Sequence, residues 1–189
     1  MTEHNGLLSL AMANDVTAEG TFLTAPGRIL ATDGDNVWPV MEDGFGNPAN
    51  GAIMSLISHN GWLYAGTANV ETGFEIWKLE GPGGHGPVQL VGNGGTDRWN
   101  QAAVTPYVFQ GELYWGSMIF LGMYLRGAVL LRINADDTWD TVVGPGGLSG
   151  YEAGFDNPYN GYLWSLGEHE GWLYAGTADF ASVIQGVAD

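Results

Sequence analysis

The phrase Gly61-Trp62-Leu63-Tyr64-Ala65-Gly66-Thr67 returns almost letter for letter as Gly171-Trp172-Leu173-Tyr174-Ala175-Gly176-Thr177. A third copy, Gly111-Glu112-Leu113-Tyr114-Trp115-Gly116-Ser117, lies between them, and a worn fourth, His4-Asn5-Gly6-Leu7-Leu8-Ser9-Leu10, opens the chain. Anchored on Gly6, Gly61, Gly111 and Gly171, the copies are spaced by 55, 50 and 60 residues. Self-similarity at such a period belongs to propellers and solenoids and constrains the fold before any other feature. The residues before the anchors (Asn5, Asn60, Gln110, Glu170) suit tight turns, and Asn-Gly between alternating apolar runs marks a hairpin. Each anchor therefore starts the second strand of a hairpin.

A second column keeps register with the first. Asn50, Asn100 and Asn160 each lie 11 residues before their anchor, in loops that share the pattern Gly-x-x-[Asn/Asp]-x-x-Asn. Asn and Asp beside Gly and Pro satisfy their own backbone in turns, so these segments connect one unit to the next. Between loop and anchor runs a first strand, and Pro106 within it predicts an edge strand with one side unpaired. A third strand opens on Gly27, Gly73 and Gly127, and a fourth covers Val37–Val40, Val88–Val91 and Thr138–Val142. Four antiparallel strands every 50 to 60 residues, with aromatics on both faces, describe a propeller blade. The expected fold is an all-β propeller of about three four-stranded blades in one domain over residues 1–189. Three blades form an open arc, so the expectation is a segment of a larger propeller or closure by self-association.

Between the third and fourth strands stand Asp33-Gly34-Asp35-Asn36-Val37-Trp38 and Asn134-Ala135-Asp136-Asp137-Thr138-Trp139. Together with the Gly-Phe-x-Asn-Pro loops and the Gly-x-Leu-Tyr-x-Gly-Thr strands, they make the chain resemble bacterial propeller repeats with degenerate Asp-box or kelch-like blades. The resemblance concerns fold alone, because Asp-boxes are structural turns and propellers host many unrelated functions.

Composition bounds the chemistry. With 21 acidic residues against five basic ones the formal net charge is -16, which repels phosphate backbones, so nucleic acid is not an expected partner. There is no cysteine, which removes disulfides and thiol nucleophiles. No apolar run approaches a membrane span, so no membrane insertion is expected. An extracellular or periplasmic setting fits such an acidic surface, although residues 1–5 carry no leader pattern.

In a four-stranded blade, the loops entering the first strand and leaving the second share one end, the usual ligand face. That end gathers Asp43, Asp97, Arg98, Trp99, Asp156 and Tyr159 from the first loop set and Tyr124 and Arg126 from the second. Aromatic rings beside carboxylates and guanidiniums suit sugars, whose apolar faces stack while their hydroxyls need donors and acceptors. The repeat anchored at Gly111 breaks the pattern, with Arg98-Trp99 in the loop and a lengthened apolar segment, Met118–Arg126. Its two arginines suit a carboxylate or sulfate, or else pair with nearby Asp97. His4, His59 and His169 share one hairpin turn, but equivalent places on different blades diverge and cannot share a metal. Calcium is conceivable at Asp33, Asp35, Asn134, Asp136 or Asp137, with turn capping as the alternative. Trp62, Trp77, Trp164 and Trp172 are expected in the core. The expected function is a non-catalytic module presenting loops to a glycan or protein. The alternatives are a glycoside hydrolase or lyase using paired carboxylates on the same face, or a structural segment of a larger surface protein.

Overall fold

The computed structural model describes residues 1–13, 25–82, 84, 86–120 and 125–181, and they form antiparallel β-structure throughout. Strands β1 (Thr2–His4), β2 (Leu7–Met12), β3 (Arg28–Thr32) and β4 (Val37–Met41) pair in sequence order as one meander. A second meander follows: β5 (Ala52–His59), β6 (Trp62–Ala68), β7 (Ile76–Leu79) and β8 (Val88–Val91). The third is β9 (Ala102–Phe109), β10 (Glu112–Met118), β11 (Leu130–Ile133) and β12 (Trp139–Val143). A hairpin of β13 (Asn160–His169) and β14 (Trp172–Asp179) begins a fourth unit.

Successive units touch edge to edge through single residue pairs, Ala13 with Ala52, Ala68 with Ala102 and Met118 with Tyr162. The sheet joined in this way curls into half a barrel. Ala52, Ala68 and Ala102 are fully buried at the first two crossings, where neighbouring units approach closely. The glycine of the recurring Tyr-x-Gly phrase has the same cause. A Cβ on Gly66 would come within 2.6 Å of the Ala103 carbonyl oxygen, and one on Gly116 within 2.7 Å of the Leu163 Cβ. Both contacts are tighter than atoms tolerate, so the phrase keeps glycine where adjacent units meet.

The alternation of the second strands sorts side chains between neighbours, because successive residues of a strand point to opposite faces. Leu63 and Ala65 pack backwards on Ile29, Met41 and Phe45 of the first unit. Tyr64 packs forwards with Leu113, Trp115 and Leu131 of the third. Leu130 and Val143 of the third unit meet Leu163 of the fourth. Trp115 is buried and its Nε1 donates to Ser55 Oγ at 3.2 Å, joining units two and three through a polar tip on an apolar body. Its removal would cost roughly 3–5 kcal/mol.

The strands fall where the repeat columns place them, with informative departures. Thr2–His4 forms a short first strand, so the opening unit has all four strands rather than starting at its second. Gly127–Val129 precedes β11 as irregular chain: Ala128 donates to the Asn160 carbonyl and accepts from the Gly154 N–H in the loop of the next unit, while the Val129 N–H is taken by the Ser117 hydroxyl of β10. Pro106 lies opposite Trp115 on β9, a strand whose other edge pairs only at Ala102. A bulge recurs at Met54, Val104 and Trp164, each seven residues before its anchor. The expectation that four tryptophans are core fails for two of them. Trp62 and Trp77 are half-buried, but Trp164 and Trp172 are exposed, because among the described residues nothing packs on the forward face of the β13–β14 hairpin.

Candidate functional site

The three inter-unit loops are built on one hydrogen-bonding plan. Gly44, Gly94 and Gly154 adopt φ of +64°, +68° and +69°, and a Cβ there would overlap the carbonyl oxygens of Asn47, Asp97 and Asn157 respectively. The Nδ2 groups of Asn50, Asn100 and Asn160 donate to the carbonyls of those glycines at 2.9, 3.0 and 2.9 Å. The side-chain oxygens of Asn47, Asp97 and Asn157 accept the backbone N–H two residues on, at 3.1, 3.0 and 3.0 Å. The turn thus uses three positions and displays the two between the Asx residue and the final Asn. Those displayed pairs are Pro48-Ala49, Arg98-Trp99 and Pro158-Tyr159.

Only the middle loop displays charge. The Arg98 guanidinium lies over the Trp99 ring, 4.6 Å from its centroid. Arg126, arriving after β10, forms an ion pair with Asp97 Oδ2. Both oxygens of Asp97 are therefore engaged, one by the Trp99 N–H and one by Arg126. Among the described residues no carboxylate pairs with Arg98. Beside this cluster a cleft of about 90 Å³ is lined by Thr96, Asp97, Trp99, Arg126, Pro145 and Ala153. That is below the roughly 300–1,000 Å³ of enclosed small-molecule sites, so the surface suits a ligand laid across it rather than one swallowed by it.

The structure brings Asp97, Arg98, Trp99 and Arg126 together. Tyr124 lies outside the described residues. Asp43, Asp156 and Tyr159 do not line the cleft: Asp43 borders a separate open depression with Glu42, Phe45 and Pro87. Asp156 Oδ1 accepts the Glu152 N–H at 2.9 Å within its own loop, and the Tyr159 N–H closes the Asn157 turn.

The acidic turns of the opposite end are closed on themselves, except that Asp137 takes the Lys78 ammonium of the second unit at 2.7 Å. Asp33 Oδ1 accepts the N–H groups of Asp35 and Asn36 at 2.9 and 2.8 Å, and these bonds, the Asn36 one first, lower its carboxyl below the usual 3.8. Asp136 is lowered likewise by the Thr138 hydroxyl and N–H. No group of three or more His, Asp or Glu side chains with metal-site geometry occurs among the described residues. The hairpin histidines bridge units instead: His4 Nδ1 meets Ser58 Oγ at 2.9 Å, and His59 Nε2 meets the Gly111 carbonyl at 3.1 Å.

Sequence reasoning missed Glu75. Its carboxylate is buried and accepts Asn47 Nδ2 at 2.8 Å, Asn50 Nδ2 at 2.6 Å and Trp77 Nε1 at 2.8 Å. A single Glu inside the apolar run Phe74-Glu75-Ile76, beside an Asn-rich loop, is the signal that could have found it; Val129 stands at the corresponding place of the third unit. All its oxygens are satisfied, which marks a clamp tying loop to strand. No family model, no curated protein and no solved structure matches this chain.

Proposed function

We propose that the chain is an arc of a β-propeller-type scaffold and acts as a non-catalytic recognition module for acidic glycans, with Arg98, Trp99 and Arg126 as its contact surface. The single observation that carries this reading is the middle loop. It keeps the shared turn yet displays an arginine stacked on a tryptophan beside a second arginine held by Asp97; of the three other Lys and Arg side chains, Lys78 and Arg132 are tied to Asp137 and Asp140, and Arg28 stands apart at the start of β3. A planar guanidinium matches a carboxylate or sulfate in bidentate fashion, and an aromatic ring supplies a stacking face for a sugar. The four-stranded meanders in sequence order, their face-to-face packing and the curled half-barrel sheet support the propeller reading. A binding role is favoured over hydrolysis because the carboxylate in the cluster already holds a backbone N–H and a guanidinium, which leaves it poorly placed to move protons. In this reading the module works outside the cytoplasm, where acidic polysaccharides are displayed.

The test is titration with neutral, uronate-bearing and sulfated oligosaccharides by calorimetry. Binding confined to the acidic ligands is expected, weakened roughly 10–100-fold by Arg98→Ala or Arg126→Ala, the loss of one charge-assisted contact. Equal binding of neutral sugars, indifference to both substitutions, or turnover abolished by Asp97→Asn overturns it.

A further inference from the structure

Two seams join complete four-stranded units, and at the end that carries the hairpin turns they are built differently. At the seam of units one and two, His4 is 3% exposed, its Nδ1 2.9 Å from Ser58 Oγ and its Nε2 3.0 Å from the Glu80 carbonyl oxygen. The paired strand positions beside it hold Ser9 and Ala31, both buried. At the seam of units two and three, the corresponding pair is Tyr64 and Lys78. Here His59 turns to the Gly111 carbonyl and stays half-buried, and a recess of about 110 Å³ lies between the units. Unit two lines it with Trp62, Tyr64 and Lys78, and unit three with Glu112, Leu113 and Ile133 among others. Side chains that serve only the scaffold are kept from seam to seam, and these are not.

The recess holds donors that the protein leaves unused. Tyr64 is 6% exposed, yet its hydroxyl has no hydrogen-bond partner among the described residues. Burial raises its pKa above the usual 10.0, so the phenol stays a neutral donor in ordinary buffers. The Lys78 ammonium donates to both oxygens of Asp137, at 2.7 and 2.9 Å, and lies 4.5 Å from the centroid of the Trp62 ring. Its third proton has no acceptor among the described residues. Asp137 balances Lys78, and Glu112 adds a negative charge beside the recess, so nothing there draws an anion. The fitting acceptor is therefore neutral. Size narrows it further: a cavity of about 150 Å³ admits benzene, with six heavy atoms, so this one admits a group of about four. An acetamido group has four, with a carbonyl acceptor at one side and a methyl at the other. We propose that this seam is a second ligand site, which takes the acetamido group of an N-acetylated amino sugar. The carbonyl accepts from Tyr64 and Lys78, the methyl packs on Leu113 and Ile133, and the sugar ring stays at the mouth, where the half-buried Trp62 offers apolar surface. The choice of a sugar as carrier rests on the glycan reading above; the recess and its donors do not.

The probe is N-acetylglucosamine, titrated into the full chain by calorimetry and followed by saturation-transfer NMR, with glucose, acetate and Nε-acetyl-lysine as comparisons. The methyl signal of N-acetylglucosamine is expected to be the most strongly saturated, and glucose and acetate are expected not to bind. Tyr64→Phe removes one hydroxyl and is expected to weaken binding roughly three- to tenfold, the loss of a single neutral hydrogen bond. Its melting temperature is expected not to fall, because that hydroxyl bonds nothing in the protein. Binding of glucose as tight as that of the acetylated sugar overturns the proposal, as does absence of saturation at the methyl. A preference for acetate means a carboxylate site and overturns it too, and a preference for Nε-acetyl-lysine means a peptide ligand and does the same. Indifference of binding to Tyr64→Phe, or a large loss of stability in that variant, assigns the hydroxyl to the scaffold and refutes its role. The selectivity of the wild type decides the matter even where the variant folds poorly. Acidic oligosaccharides titrated in parallel separate this site from the arginine loop. If they bind while N-acetylglucosamine does not, the recess alone is refuted; if N-acetylglucosamine binds while they do not, the reading of Arg98 and Arg126 falls and the recess stands.

Discussion

Asn50, Asn100 and Asn160 occupy one column of the repeat and make the same bond to a loop glycine, yet their removal should cost three different amounts. Asn50 is fully buried and sits at the centre of a network. It donates to the Gly44 carbonyl and to Glu75 Oε2, and its Oδ1 accepts from Asn69 Nδ2 at 3.0 Å and from the Thr67 hydroxyl at 3.3 Å. Asn50→Ala leaves the Asn69 amide and the Thr67 hydroxyl proton without their acceptor, and takes one of two donors from the Gly44 carbonyl and from Glu75 Oε2, which keep the Asn47 N–H and Trp77 Nε1. A buried group left unpaired costs about 1–3 kcal/mol and each thinned bond adds less, so the total is about 3–5 kcal/mol after local relaxation. Asn100 is also buried but bonds only neutral partners, Gly94, Thr96 and more distantly Ser117, which sets about 2–3 kcal/mol. Asn160 is half-buried and its side chain bonds the Gly154 carbonyl alone, which sets about 1 kcal/mol. For a chain of this size each kcal/mol lowers the melting temperature by roughly 2–4 °C, so the three variants should separate clearly in a thermal melt. The assay is urea unfolding read by tryptophan fluorescence, with the slope checked for constancy. Equal losses at the three positions would refute the reasoning, because they would mean that the glycine bond alone carries the column. A double variant sharpens it: with Glu75→Gln in place, the penalty of Asn50→Ala should shrink by about 1 kcal/mol, since the bond Asn50 gives up there is no longer to a charged oxygen.

The remaining expectations are shorter. Ser55→Ala removes the acceptor of Trp115 Nε1 and the donor to the Ala103 carbonyl, so it should destabilise by about 2–4 kcal/mol and shift Trp115 emission, while Thr105→Ala, whose hydroxyl bonds the Leu163 carbonyl at a half-buried site, should cost about 1 kcal/mol in the same unfolding assay. Gly94→Ala meets both a positive φ and the Asp97 carbonyl and should cost more than about 2 kcal/mol, whereas Gly111→Ala meets only a positive φ of +83° in open space and should cost about 1 kcal/mol. Asp33, Asp136 and Asp140 have folded-state carboxyls held below their usual value, Asp140 first by the hydrogen bond from Arg132. Their contribution is present above the unfolded carboxylate range and is lost as pH falls through the lower folded values. Stability should therefore drop below about pH 4, and Asp33→Asn, which keeps the capping oxygen but not the titration, should flatten that drop in acid unfolding curves.

The repeat made the meanders legible because each is a local device: an Asn-Gly hairpin, an Asx loop, a run of alternating apolar residues. Pairing at the anchors then follows from spacing alone, and β5 to β12 lie where the columns put them. What the spacing could not give is burial, which depends on neighbours in space. Trp172 repeats Trp62 in sequence, but Trp62 has the third unit in front of it and the Lys78 ammonium over its ring, and Trp172 has neither. At the site, Arg98, Trp99 and Arg126 were legible as departures from the repeat, and so was the possibility that an arginine pairs with Asp97. That Asp97 takes both a turn N–H and a guanidinium was not, because the partner comes from a loop 29 residues away. Glu75 escaped because a charged residue in a strand reads as solvent-facing unless the amides that surround it are known to converge.

The division between scaffold and display in the inter-unit loop has a mechanical origin. The turn needs a residue without a Cβ at its first position, a short side-chain acceptor at its fourth and an amide donor at its seventh; the displayed fifth and sixth residues are free to differ, and the fourth can change from Asn to Asp because either keeps the acceptor oxygen. Asp97 serves that turn as well as Asn47 and Asn157 do, since all three offer an oxygen at the same distance, but only a carboxylate also draws a guanidinium to it. One substitution at the acceptor position therefore leaves the fold unchanged and recruits Arg126 to the surface where Arg98 and Trp99 are displayed. Asp97→Asn should keep the turn and the stability within about 0.5 kcal/mol, because an exposed ion pair is worth little. It should also free Arg126 from its place, so that affinity for an acidic ligand falls through lost orientation while the positive charge remains. Unchanged affinity together with unchanged stability would show that the ion pair positions nothing.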